Sequence, residues 1–375
     1  MASENSPTTS ASTKKRPHKY GDDAYARKKA KPKHAKSEEE SWCDQVVGYG
    51  RCINRNADSF SLPRFVINAG MEMEEEDAAE EGDGTPLDSL ELGIEDRIWR
   101  SSYSKYKQCF PGLEINLVNL EKKSYITQDR IECLLWDGMK SARQADVHLI
   151  KAEIHKYHDF QPSIADVKRS SLGYAHLVTG MLLCPAHLDW SDESLRESLR
   201  RGEEAPNVDT LFHFMYADHS PSPTSLNRGL LRGPLLVKAY KAVFFGPSSA
   251  TATTGSGDTR ATKSGNAVLG GITKVTSSAI AYITCIVRFA LSSEPQFTPG
   301  SQHGFDNCGF YRALVHMLEG PNPSMVRQQW RTDLFGWWNA TAVPTVSHGI
   351  SLQELLLAQE EAEESALSDL TNNAL

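Results

Sequence analysis

Gly257, Lys263 and Ser264 fall on the first, seventh and eighth places of a Gly-x4-Gly-Lys-Ser phosphate loop, a spacing in which backbone N–H groups and one ammonium cradle a polyphosphate. The sixth place holds Thr262. A β-branched side chain there stands where glycine lets the backbone curl around the phosphates, and no apolar strand ending in an aspartate follows to hold magnesium. Cys308 offers a thiol behind Asp306, but a nucleophilic cysteine needs a base, and only His316 and His348 lie downstream. Cys184, His187 and Asp189 cluster with His176 nearby, while His148, His155 and His158 share one helical stretch. Neither set has the paired-ligand spacing of a zinc module. No catalytic residue, metal ligand or cofactor is therefore assigned.

The charge distribution says more. Between Asp218 and Glu294, residues 219–293 carry eight bases and one acid, Asp258, so this window is net +7 in a chain of formal charge −8. Such a field suits an anionic partner, either outside the molecule or among the chain's own acidic segments. Within the window, the Gly, Ser and Thr rich loop 255–266 runs directly into an apolar helical stretch. A helix start presents unpaired N–H groups and partial positive charge, which favours anions. Arg260 and Lys263, with the backbone at Gly265 and Asn266, are the expected anion contacts. Arg228, Arg232, Lys274 and Arg288 are expected to add to the same basic surface.

The elements that must position these residues read as helices. Val268, Ile272, Val275, Ala279, Ile283, Ile286 and Ala290 step by three or four, which predicts a long buried central helix with Lys274, Ser277, Thr284 and Arg288 on a wet edge. Pro234 sits at a first helical position, with Leu236, Ala239, Tyr240 and Val243 following until Gly246-Pro247. Ile98 to Phe110 approximates one helical face, closed by Pro111-Gly112. Two further helices are expected on either side of Gly138, and Tyr174 to Leu183 is apolar enough to be buried. The fold class is mainly α: a single helical domain over 87–345. It is preceded by a disordered basic arm and acidic linker over 1–86 and followed by an acidic tail over 346–375, a candidate amphipathic helix.

The arm carries two basic clusters, Lys14-Lys15-Arg16 and Arg27-Lys28-Lys29, about ten residues apart, the pattern of a bipartite nuclear import signal read by an import receptor. The acid run from Glu72 to Asp83 repels itself and predicts an extended linker. Residues 41–70, with Trp42, Val46, Val47, Phe65 and Val66, show no clear period and could serve as a docking strip. Seven cysteines without a Cys-x-x-Cys pair or a preceding signal peptide read as reduced thiols. The longest apolar stretch, Val275 to Val287, falls short of a bilayer span, so no membrane association is expected.

Several blocks stand in a fixed order: Leu182-Leu183-Cys184-Pro185 with Asp189-Trp190, Gly229-Leu230-Leu231-Arg232, Pro247-Ser248-Ser249-Ala250, Ser264-Gly265-Asn266-Ala267, Arg288-Phe289-Ala290-Leu291-Ser292-Ser293 and Trp337-Trp338-Asn339. Over Trp99 to Pro344 the chain resembles an uncharacterised domain family of mushroom-forming (basidiomycete) fungi. Leu269-Gly270-Gly271 departs from the His-Gly-Met-like turn of that pattern, and the resemblance carries no activity over. Asp306 to Leu314 is also similar to the nucleophile segment of ovarian-tumour-type cysteine proteases, although there the acid lies three places before the cysteine rather than two. The residues point to a nuclear non-enzymatic interaction protein that binds an acidic partner or nucleic acid through 219–293. The alternative is an enzyme acting on a phosphorylated or peptide substrate at 255–266 or at Cys308.

Overall fold

Gly50 and Gly138 are where two helices meet most closely. A Cβ on Gly138 would lie 2.9 Å from the Gly50 Cα and closer still to the Val47 carbonyl, and a Cβ on Gly50 would strike the Leu135 carbonyl. The computed structural model describes residues 36–80, 93–118, 124–222, 225–251, 266, 274–300 and 304–342 of the chain. The helices that cross at these glycines are α1 (Glu38–Asn56) and α5 (Gln128–Glu153). Gly138 does not split α5, as the sequence suggested. Its missing side chain, with that of Gly50, lets α1 pack against a continuous helix of 26 residues, started by the Thr127 hydroxyl accepting from the Arg130 N–H at 3.2 Å.

The remaining α-helices are α2 (Pro63–Glu80), α3 (Ile94–Cys109), α4 (Leu113–Val118), α6 (Leu177–Leu183), α7 (Glu193–Arg201), α8 (Pro234–Phe245), α9 (Pro247–Thr251), α10 (Ser277–Leu291), α11 (Asn307–Glu319) and α12 (Met325–Ala342). Among the described residues there is no strand; the extended pieces meet only in isolated bridges such as Pro185 with Phe212 and Tyr216 with Leu230. The expected mainly α class holds, and α8 runs from Pro234 to the break at Gly246-Pro247 as its sequence indicates.

α5 belongs to two apolar cores. Its first half supplies Ile131, Leu135 and Met139 to a cluster shared with Val46 and Ile53 of α1, Val66 and Ile67 of α2, Tyr103 and Tyr106 of α3, and Leu113 of α4. Its second half supplies Ile150 to a larger cluster built from α6, α8, α10, α11 and α12. The described residues from Glu38 to Ala342 form one compact unit.

That arrangement corrects the expected boundary at 86/87. Residues 38–80 are two helices of the folded body, with Val46, Ile53, Val66 and Ile67 essentially inaccessible to solvent. Glu74 and Glu76, expected in a self-repelling linker, lie on α2 because α3 supplies opposite charges. Arg100 donates two bonds to Glu76, at 2.6 and 2.9 Å, and Lys107 donates to Glu74 at 3.0 Å. The basic arm and its clusters, the rest of the acid run from Glu81 to Asp83, and the acidic tail lie outside the described residues.

α10 is the central helix, and all fifteen of its residues are buried. The expected wet edge is instead a stripe of buried polar groups that hydrogen-bond inside the protein, with only the Arg288 Nε of this stripe left without a partner. Ser278 donates to the Ala57 carbonyl at 2.7 Å and Thr284 to the Ile280 carbonyl at 2.8 Å. Ser277 donates to Glu319. Arg288 makes a two-bond pair with Glu294, each contact 2.8 Å.

Candidate functional site

Along α5, Trp136, Lys140, Arg143, Gln144, Val147, His148 and Lys151 recur at three- and four-residue steps and so share one face. Opposite that face stand Phe289 of α10 and the segment that follows it, with Pro295, Gln296, Phe297 and Pro299. Between the two walls lies an open cleft of about 550 Å³. Four of its lining residues carry basic groups, Lys140, Arg143, His148 and Lys151, and none carries a carboxylate.

The second wall is held by groups from two elements, the turn at Arg169 and the start of α11. Arg169 donates to the carbonyls of Phe289 and Glu294, and to that of Ala290 at 3.3 Å, with its guanidinium 4.2 Å from the centre of the Phe289 ring. Asn307 donates to the Thr298 carbonyl at 2.8 Å, and the Cys308 N–H donates to the Pro299 carbonyl at the same distance. The floor is Arg143. It is buried, donates to the Ser59 carbonyl at 2.7 Å, and lies 5.4 Å from both the Phe60 and the Trp136 rings. Burial lowers its pKa from the usual guanidinium range, the expected direction for a cation removed from water.

The rim is different in kind. Lys140, Gln144, His148 and Lys151 are exposed. The Lys151 ammonium stands 5.9 Å from the Phe289 ring, and Lys140 pairs with Asp137 one helical turn away at 2.8 Å, both partners being largely solvated. An exposed pair of that type is worth little and yields readily to a stronger anion. The aromatic rings are engaged in the wall itself, Phe297 packing edge-on against Phe289 at 5.3 Å and also against Phe60. The cleft therefore offers exposed bases on its rim and a buried guanidinium at its floor, between aromatic side chains, a surface suited to an anionic segment lying along α5.

Several residues expected to form one basic surface have other occupations. Arg288 is 4 % exposed and committed to Glu294, with a further bond to Asn307 at 3.3 Å, so it cannot reach an external anion. Arg232 is half-buried with its guanidinium 5.4 Å from the Trp337 ring, while Arg228 and Lys274 are exposed. Lys238 donates to the Tyr157 carbonyl at 2.8 Å.

The start of the central helix also differs from expectation. It begins at Ser277, with Thr276 accepting from the Ala279 N–H at 3.0 Å, and the Val275 N–H donates to Asn339 at 2.8 Å. Protein groups close that terminus, ten residues beyond the loop end at Asn266. Asn266 itself donates to the Val243 carbonyl at 2.5 Å. Arg260, Lys263 and Gly265 lie outside the described residues, as do Val268 and Ile272.

Cys308 stands at the second position of α11, half-buried, and burial pushes its thiol up to about 11. Asp306 is occupied as the helix cap, accepting from the Gly309 N–H at 2.9 Å. His316 is eight residues further along the same helix, about 12 Å at 1.5 Å per residue, too far to take the thiol proton. His348 lies outside the described residues. His176 caps α6 by accepting from the Val178 and Thr179 N–H groups, and Asp189 is bound to Ser191. Among the described residues, no three His, Cys, Asp or Glu side chains are grouped to hold a metal ion.

A model of a family of unknown function, DUF6698, matches residues 137–343, more than half of the chain. The chain belongs to that family. No curated protein and no solved structure matches it. The DUF6698 match takes in the cleft from Lys140 to Pro299, leaving only Trp136 outside, whereas α1 to α4 precede it. None of the described helices is long and apolar enough to cross a membrane.

The cleft was not singled out from the sequence. Its signal lay in the periodic placement of Trp136, Lys140, Arg143, His148 and Lys151. That signal was masked because α5 as a whole carries five acids (Asp129, Glu132, Asp137, Asp146 and Glu153) against four bases (Arg130, Lys140, Arg143 and Lys151). Counting charge along the chain hides a segregation that exists only around the helix.

Proposed function

We propose that this chain is a nuclear, non-enzymatic interaction protein whose α5 cleft receives an anionic partner, a nucleic acid or an acidic protein segment. The observation that carries this reading is the cleft lining, four basic groups among aromatic and apolar side chains without a carboxylate. Low-dielectric walls of one charge sign focus the field outward and favour encounter with an oppositely charged partner. The exposed bases Arg228 and Lys274 lie beyond the cleft and add to the long-range field. Enzymatic turnover at Cys308 has no comparable support: among the described residues, His316 is too far along α11 to act as its base, and burial raises the thiol pKa. On the ordered blocks shared with the basidiomycete family we also propose a fungal source.

Binding of the full chain to a labelled single-stranded oligonucleotide, a duplex and a Glu-rich peptide tests the reading directly. At least one of these polyanions is expected to bind with an affinity that falls linearly on a log–log plot against salt, as release of bound counterions requires. Failure of all three to bind at low salt contradicts it.

Nuclear residence is proposed from the clusters Lys14-Lys15-Arg16 and Arg27-Lys28-Lys29. Replacing the six residues by alanine is expected to disperse a fluorescently tagged protein into the cytoplasm. Unchanged nuclear accumulation of the variant, seen by microscopy, removes this part of the proposal.

A further inference from the structure

The lining of the α5 cleft joins two properties that a ligand has to match. Lys140, His148 and Lys151 are exposed on its rim, while Trp136, Phe289 and Phe297 supply aromatic surface. Of the acids next to lining residues in the chain, Asp137 is paired with Lys140 and Glu294 with Arg288. The first of these pairs is exposed and readily exchanged.

The stretch that follows α12 has both complements. Residues 343–375, which lie outside the described ones, hold six acids, Glu354, Glu360, Glu361, Glu363, Glu364 and Asp369, and no Lys or Arg. Leu355, Leu356, Leu357 and Leu367 are interleaved with these acids. We propose that residues 354–369 of this acidic tail seat in the α5 cleft of their own chain, so that an outside polyanion has to displace them; this rests on the cleft being an anion-receiving surface. A polyanion without apolar groups uses only the basic rim, whereas the tail also buries leucine against the rings.

The tail starts close enough to reach. α12 ends at Ala342, and Asn339, one turn earlier, accepts from the Val275 N–H at 2.8 Å, beside the start of α10. From Ser277 to Phe289 of the cleft, α10 advances about 18 Å at 1.5 Å per residue. The chain from Ala342 to Glu354 spans up to roughly 40 Å when extended, so the acids from Glu354 onward can lie along the cleft. Tethering holds such a segment at roughly millimolar effective concentration, and contacts that are weak in isolation then suffice to keep it seated. An outside polyanion meets only the fraction of molecules whose cleft is open, and its apparent affinity is reduced by that fraction.

Zero-length carbodiimide crosslinking of the full chain, in an equal mixture of heavy-isotope-labelled and unlabelled protein, tests the seat by peptide mapping. Amide links from Lys140 or Lys151 to the glutamates of the tail are expected, in peptide pairs of a single isotope. Glu354→Gln, Glu360→Gln, Glu361→Gln, Glu363→Gln and Glu364→Gln together are expected to tighten binding of a labelled single-stranded oligonucleotide roughly tenfold at low salt. No link to either lysine, links only in mixed-isotope pairs, or oligonucleotide binding that the neutralised variant leaves unchanged overturns the proposal. The links report on the seat even where no outside polyanion binds. Single-isotope links in a protein whose neutralised variant binds no polyanion support the seat and sink the outside partner; an unlinked tail with unchanged oligonucleotide affinity sinks the seat and leaves the cleft to an outside partner.

Discussion

Asp146→Ala is expected to cost about 3–5 kcal/mol of folding stability, because it leaves a buried guanidinium without its counter-ion. Asp146 lies on α5 and is 2 % exposed; Arg55 of α1 donates two bonds to it, each 2.8 Å, and the Tyr282 hydroxyl of α10 donates a third at 3.0 Å. One carboxylate therefore ties three helices together. Natural domains have margins of about 5–15 kcal/mol, so the loss would consume much of the total. Urea unfolding followed by circular dichroism measures it through the midpoint. The same site separates partner loss from the net worth of the pair. Arg55→Met with Asp146→Leu should recover most of the stability, since apolar replacement of a buried ion pair is often neutral or better. A cost below about 1 kcal/mol for Asp146→Ala would show that water reaches the pair and solvates it.

Removal of residues 1–86 is expected to abolish cooperative unfolding. The deletion strips α1 and α2 from the smaller core and exposes Ile131, Leu135 and Met139 of α5 together with Tyr103 and Tyr106 of α3. It also discards Arg55, leaving Asp146 as the unpaired charge. Removal of residues 1–37, where the compact unit begins, is expected to leave the thermal midpoint unchanged. Differential scanning calorimetry of the two truncations gives the comparison. A sharp transition in the shorter protein would mean that the rest of the folded body, including the residues matched by DUF6698, folds without α1 and α2.

How far the sequence revealed this fold depended on what each helix buries. α8 and α10 bury runs of Leu, Ile, Val and Ala, so their periods were legible; Pro234 and Gly246 marked both ends of α8. α10 was placed too early because Val268 and Ile272 continue its period, while the cap is Thr276. α1 was missed for a physical reason. Part of its buried surface is Gly50, Asn54, Arg55 and Asn56, residues that a hydrophobic pattern counts as solvent-facing. α2 was missed because its acids find their partners, Arg100 and Lys107, on another helix. Gly138 read as a break because a glycine in a helix usually weakens it; here the backbone of α1 occupies the place of the side chain.

The candidate site was less legible still. Its walls are separated by about 140 residues of chain, and the segment with the largest linear excess of base proved to contain Arg288 in an internal pair and Lys238 on a carbonyl. A base contributes most to a binding field where it is exposed and any acid beside it is itself solvated and readily displaced. That condition belongs to the tertiary arrangement and not to the order of residues.

The measurement that bears most directly on the account is the salt dependence of polyanion affinity in two variants. One removes the cleft bases by Lys140→Ala with Lys151→Ala; the other removes the bases away from it by Arg228→Ala, Arg232→Ala and Lys274→Ala. The account predicts that the cleft variant binds roughly tenfold more weakly and has a salt slope shallower by about two charges, with an unchanged melting temperature. The second variant should retain most of the affinity and slope of the parent. Parent-like binding by the cleft variant, with the loss appearing in the second, would contradict the assignment of the α5 cleft as the binding surface.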